Sequence, residues 1–176
     1  EQFSIEGKVA VITGAGGVLG GSIAKSFIKA GARVVAMDIR QENLDVRVNE
    51  LTADGGEAIG IVGNVLDVNS LENAAKEIVE KWGRIDILLN IAGGNVPGAT
   101  LSEDQSFFDM KIADWEKVTN LNMNGTVDPS YVSGSIMAEQ KAGSLVHISS
   151  LAALPRPSRL SVKCPKATWL SICPRV

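Results

Sequence analysis

The chain has 176 residues, 45% of them hydrophobic, and a formal net charge of −3. That is one domain's worth of chain with an ordinary globular composition. The slightly acidic balance leaves no basic surplus for nucleic acid, and no apolar run approaches the roughly 20 residues of a membrane span. The opening residues, Glu1, Gln2, Phe3 and Ser4, lack the basic and apolar regions of a signal peptide. Cys164 and Cys173 stand together near the end of the chain and make no disulfide framework. A reduced, cytoplasmic protein with no nucleic-acid or membrane partner and no metal site is expected.

Strand-like and helix-like patterns alternate through the first 150 residues. Residues 8–13 form a short apolar run that ends at glycines, as a buried parallel strand does. A helix follows, with Ile23, Phe27 and Ile28 on one side and Gly31 as its stop. Residues 32–38 make the second strand, 42–53 a helix with Leu44, Val48 and Leu51 inward, and 58–62 a third strand. Leu71, Ala74, Ala75, Ile78, Val79 and Trp82 keep amphipathic helical spacing up to Gly83. Residues 85–90 form the fourth strand, and a Gly-rich loop runs from 93 to about 100. Helical stretches are expected at 112–122 and 130–140, and a fifth strand at 144–149. This alternation predicts an α/β fold, a Rossmann-like doubly wound parallel sheet of about five strands. Residues 155–176 carry four prolines, five basic residues and no acidic one. They are expected to form an irregular basic tail beside a nucleotide-binding domain over 1–154.

The segment Thr13-Gly14-Ala15-Gly16-Gly17-Val18-Leu19-Gly20 lies between a strand and a helix. Glycines there let backbone approach a pyrophosphate, and the helix start offers free N–H groups and partial positive charge. Plain tight turns also use glycines, so the signal lies in the strand before, the helix after and an acid beyond. Asp38 is that acid. At the end of the second strand its carboxylate can accept from both ribose hydroxyls of an adenosine and would repel a 2′-phosphate. NAD(H) is the expected cofactor, with NADP(H) as the alternative because Arg40 is close by in sequence.

Four segments in order, Thr-Gly-x-x-x-x-x-Gly at 13–20, Asn90-Ile91-Ala92-Gly93, Asn122-x-x-Gly125 and Ile148-Ser149-Ser150, resemble signatures of the short-chain dehydrogenase/reductase family. The stretch Ala92-Gly93-Gly94-Asn95-x-Pro97, with Gly17-Val18-Leu19-Gly20, is similar to its sugar-acid branch, the fructuronate (D-mannonate) reductases and gluconate 5-dehydrogenases. The resemblance implies that Gly14, Gly16, Gly17, Val18, Leu19 and Gly20 cradle the pyrophosphate. It places Asn64 and Val65 against the adenine, though Asn64 also reads as a capping residue of a turn. It sets Asn90, Ala92 and Gly93 where the sheet is steadied and the nicotinamide ribose lies.

The family's machinery is an Asn, Ser, Tyr and Lys set acting by general acid–base chemistry beside a nicotinamide. By resemblance Asn122 takes the Asn place, Ser150 the Ser place and Lys166 the Lys place. No tyrosine follows Ser150: the chain's one tyrosine is Tyr131, and the Tyr place falls on Val162 or Lys163. Pro165 also breaks the helix that would carry the pair. His147 reads as a neutral side chain with an ordinary hydrogen bond. Family members continue through two further strands, so a C-terminally truncated form of the fold is expected, with assembly of identical chains as in the family. The expected function is NAD-dependent hydride transfer on a hydroxyl or ketone of a polar small-molecule substrate, such as a sugar acid, with impaired turnover in this chain. The alternative is a non-catalytic nucleotide-binding or interaction protein of the same descent.

Overall fold

The computed structural model describes residues 4–53, 55–102 and 105–149. Five strands and four α-helices alternate: β1 (Val9–Thr13), α1 (Val18–Lys29), β2 (Arg33–Asp38), α2 (Gln41–Thr52), β3 (Ala58–Val62), α3 (Val68–Trp82), β4 (Ile87–Asn90), α4 (Ile112–Gln140) and β5 (Ser144–His147). All pairings are parallel and the strand order is β3-β2-β1-β4-β5. The chain therefore winds outward from β1 in one direction as far as β3. It then crosses back to lay β4 on the other side of β1. The reversal opens a crevice beyond the carboxyl ends of β1 and β4, where an open α/β sheet binds its ligands.

Period-two alternation divides the core. Val9 and Val11 of β1 and Val35 and Met37 of β2 pack with Leu71, Ala74 and Ile78 of α3 and with Val132 and Met137 of α4. Ile12, Val34 and Ala36 face the other way, onto Ala24 of α1 and Leu44 and Leu51 of α2. The doubly wound sheet expected from the sequence is thus present, with helices on both faces. Among the described residues β5 pairs only with β4 and forms one edge of the sheet. Its Leu145 and Val146 are exposed.

The end of the sheet remote from the crevice is fastened by a buried charge. Asp86, 5% exposed, accepts from the Val9 N–H at 2.9 Å and from Arg84 Nε at 2.9 Å, and Lys8 lies 3.6 Å away. Burial alone would raise its pKa. The hydrogen bonds from Arg84 and Val9, with the charges of Arg84 and Lys8, outweigh burial and hold the carboxyl below the usual carboxylate range.

One expectation is corrected. The two helical stretches at 112–122 and 130–140 are a single 29-residue helix, α4, with Pro129 inside it. Gly125 and Pro129 look like punctuation in the sequence, yet both are buried in packing. A Cβ at Gly125 would lie 3.0 Å from Cγ2 of Val65, so this glycine serves close approach and not termination. Tertiary contact on both flanks carries the helix past the proline. Smaller differences concern ends: β4 starts at Ile87 instead of 85 and β5 ends at His147 instead of 149.

Candidate functional site

β1 delivers the chain into the crevice at Gly14, whose φ of +68° is a conformation that L side chains rarely adopt. A Cβ there would sit 3.0 Å from the backbone of Ala92, so the loops after β1 and β4 touch only because residue 14 is glycine. Thr13 ties the same two loops. Its hydroxyl oxygen accepts from the N–H groups of Ile91 and Ala92, each at 3.1 Å. α1 begins at Val18 with Gly17 as its N-cap, and its first turn carries no acidic side chain. The N–H groups of Val18, Leu19 and Gly20 open the helix and have no acceptor within it. They form a partly positive, anion-seeking end.

Asp38 closes β2 beside this loop. Its Oδ2 accepts from the Gly16 N–H at 3.1 Å, and its Oδ1 accepts from the Arg40 N–H at 3.2 Å. A carboxylate offers about four lone-pair sites, so two remain for a ligand. Between these elements lies a cleft of about 490 Å³, lined by Gly14, Gly17, Val18, Leu19, Gly20, Asp38, Asn64, Val65, Ala92 and Gly93 among others. These residues, expected from the sequence to hold the cofactor, are thus brought together around one cavity, with Gly16 bonded to Asp38 beside it. Val18 is 92% exposed, its side chain in the open at the mouth of the loop.

Asn90 is the exception. It is fully buried and does not line the cleft. Its Nδ2 donates to Ser130 Oγ at 2.9 Å and lies 3.0 Å from His147 Nδ1, so it braces β4 to α4 and β5. Leu88 faces α3 and α4, and Asn90, two residues on, must face the same way. His147 Nδ1 thus stands within hydrogen-bond distance of the Asn90 amide. Asn64 lines the cleft, and its Oδ1 also accepts from the Leu66 N–H at 3.0 Å. Asn64 thus caps its turn and also lines the cleft.

Asn122, expected in the catalytic set, is 6% exposed and clasps Gly94. Its Oδ1 accepts from the Gly94 N–H at 3.0 Å and its Nδ2 donates to the Gly94 carbonyl at 2.8 Å. Both ends of the amide are engaged in holding the loop after β4 to α4. Ser150 and Lys166, and the tail at 155–176, lie outside the described residues. Tyr131 is 73% exposed on α4, remote in role from the cleft lining. Sequence reasoning missed the apolar walls of the cleft, Met37, Ile39, Leu66 and Leu121. Met37 and Ile39 flank Asp38, so adjacency was a usable signal for them; Leu121 arrives from α4 and had none.

A family model described as short chain dehydrogenase matches residues 8–162. The chain belongs to the short-chain dehydrogenase family. Relatives include a 3-oxoacyl-(acyl-carrier-protein) reductase of Thermotoga maritima, 36% identical over 84% of this chain and 57% of its own length. Another is the D-threitol dehydrogenase of Mycolicibacterium smegmatis, 33% identical over 86% of this chain and 56% of its own. Among solved structures, a Haemophilus influenza protein assigned as a D-mannonate oxidoreductase, with bound NAD, superposes with a TM-score of 0.85. It is 31% identical, covering 97% of this chain and 65% of that one. A family member from Burkholderia phymatum in complex with NAD gives a TM-score of 0.82 at 26% identity, covering 97% of this chain and 58% of its own. The chain spans a little over half the length of these curated short-chain dehydrogenases.

Proposed function

We propose that the cleft binds NAD(H), and that the chain descends from oxidoreductases acting on a hydroxyl or ketone of a polar small molecule of the sugar or sugar-acid kind. The observation that carries this reading is Asp38. Its two oxygens are already oriented by the N–H groups of Gly16 and Arg40 beside the glycine-rich loop, as ribose recognition requires. Gly14, Gly17 and the open N–H groups of Val18, Leu19 and Gly20 would hold the pyrophosphate, with the loop after β4 packed close against Gly14. Ala92 and Gly93 would flank the nicotinamide ribose. When bound, the dinucleotide supplies the hydride donor or acceptor. The bound NAD of two structural neighbours supports the choice of cofactor.

Turnover is a separate matter. The reading assigns Ser150 to orient a substrate oxygen, Asn122 to hold the loop at Gly94 and Lys166 to approach the ribose. The place that the family resemblance gives to the proton-transferring phenol is held by Val162 or Lys163. Loss of a positioned general acid typically costs about 10²–10⁴ in rate, so binding with little turnover is expected of this chain. That observation favours the second reading, a nucleotide-binding protein that no longer catalyses.

Fluorescence titration with NADH and NADPH tests the first part. NADH is expected to bind more tightly; preference for NADPH, or binding of neither, overturns the reading. A screen of sugar acids and secondary alcohols with NAD⁺, and of ketones with NADH, tests the second. Robust turnover that disappears in Ser150→Ala would restore the plain enzyme reading.

A further inference from the structure

The loop that meets the pyrophosphate in this reading is held from behind by a side chain from another element. Arg47 of α2 is only 13% exposed and is not part of the cleft lining. Its Nε donates to the Ala15 carbonyl at 3.0 Å and its Nη2 to the Gly17 carbonyl at 3.3 Å. Its Nη1 pairs with Glu50, which also pairs with Lys25 of α1 at 3.0 Å. The hydrogen bond from Lys25, and after it the charge of Arg47, keeps the Glu50 carboxyl below its ordinary range. The guanidinium is therefore fixed at one end by a carboxylate and grips the loop with the other.

We propose that Arg47 is the positioning residue of the glycine-rich loop, turning its N–H groups toward the cleft by holding two of its carbonyls on the opposite side. In a trans peptide the C=O and the following N–H point in opposite directions. With the Ala15 carbonyl drawn to Arg47, the Gly16 N–H faces away from it and meets Asp38 Oδ2 at 3.1 Å. The Gly17 carbonyl accepts the first helical N–H, that of Gly21 at 2.9 Å, and Arg47 adds a second donor from the same side, so the Val18 N–H is aimed out of the open end of α1. Arg47 thus braces the peptide ahead of Gly16 and the first donor available to a phosphate, while Asp38 keeps a second, independent anchor on the Arg40 N–H. Gly21 makes room for it. The atoms that a Cβ on Gly21 would strike are all in the Arg47 guanidinium.

This inference rests on the nucleotide reading above, and two ligands separate the two. ADP-ribose carries the pyrophosphate that meets the loop; adenosine reaches Asp38 without one. Arg47→Ala is expected to weaken ADP-ribose about tenfold, the order of a lost charged hydrogen bond, while adenosine binding, read by competition, changes far less. Arg47→Lys, which can reach one carbonyl at a time, should recover part of the loss. Gly21→Ala provides an independent route to the same end. The new methyl displaces the flexible tip of Arg47 while alanine suits the interior of α1 better than glycine. It should reproduce the loss of ADP-ribose affinity while adenosine binding changes far less, a split that a merely structural Arg47 would not give. Equal ADP-ribose binding in parent, Arg47→Ala and Gly21→Ala overturns the positioning role alone, as does an equal loss of both ligands. A parent chain that binds no ADP-ribose overturns the nucleotide reading and this inference with it.

Discussion

Replacing Asp38 with asparagine removes one oxygen and one charge while keeping the shape of the side chain. In the parent, Oδ2 serves the Gly16 N–H and Oδ1 serves the Arg40 N–H, which leaves about two lone-pair sites for the ribose hydroxyls. Asparagine has a single oxygen. Whichever way its amide turns, one backbone N–H then faces an NH₂ group, donor against donor. Arg40 is exposed and its N–H can turn to water, so the amide oxygen should settle on Gly16. A ribose hydroxyl then loses its charge-assisted acceptor, at a cost of roughly 1.5–3 kcal/mol, or about 10–150-fold in Kd. NADPH should respond differently, because losing the carboxylate also removes a repulsion against the 2′-phosphate. Titration of parent and Asp38→Asn with both reduced dinucleotides reads this directly. The preference for NADH should narrow mainly through weaker NADH binding. An unchanged NADH affinity, or an equal loss for both, would refute the argument that Asp38 reads the ribose.

Two further outcomes concern stability and the loop. Asp86→Asn should cost about 2 kcal/mol at pH 7, toward the low side for a buried charge pair because Arg84 and Lys8 are each 44% exposed. Since the folded-state pKa of Asp86 is depressed, this contribution is present above its unfolded value of about 3.9 and disappears as pH falls through the lower folded value. Urea unfolding at pH 7 and at pH 3 should show the gap between parent and variant closing in acid; a gap that does not narrow contradicts the sign. Gly14→Ala places a side chain at φ +68° and brings a methyl 3.0 Å from the backbone of Ala92. It should cost roughly 1–2 kcal/mol and weaken NADH. A calorimetric midpoint equal to the parent's would show that the loop relaxes freely.

Much of this site was legible because its signals are local. The run of residues 8–13 into glycines, and Asp38 at the end of an apolar strand, each announce themselves within a few positions. What was less legible depended on distance or on consistent use of the pleat. Pro129 and Gly125 carry a local break signal that packing against Val65 and the sheet overrides. Asn90 was set by its motif where the sheet is steadied and the ribose lies, and the bonds to Ser130 and His147 are of the first kind. Leu88 and Leu89 belong to opposite faces of the sheet, and counting on by one residue already turns Asn90 toward α4. Arg47 is different. Its contacts with Ala15 and Gly17 depend on how α2 is rotated over α1, and no spacing in the chain records that. Asn122 stands in a recognisable motif, but its grip on both polar groups of the Gly94 backbone depends on how α4 lies against the loop after β4, which no local pattern records.

The strand order also sets a timetable during synthesis. β1 is the middle of the sheet and all five of its residues are buried, yet one of its two neighbours, β4, is the fourth strand in the chain. Once β2 and β3 have emerged, the side of β1 that will receive Ile87–Asn90 is still a bare row of N–H and C=O groups. At translation speeds of about 5–20 residues per second, the roughly 75 residues separating the two strands take about 4–15 s to appear. For that interval the nascent chain carries an apolar strand with an open edge, the form most prone to pair with a neighbour. The same reversal of winding that creates the crevice for a ligand therefore makes β1 the strand that a ribosome-associated chaperone has most reason to cover.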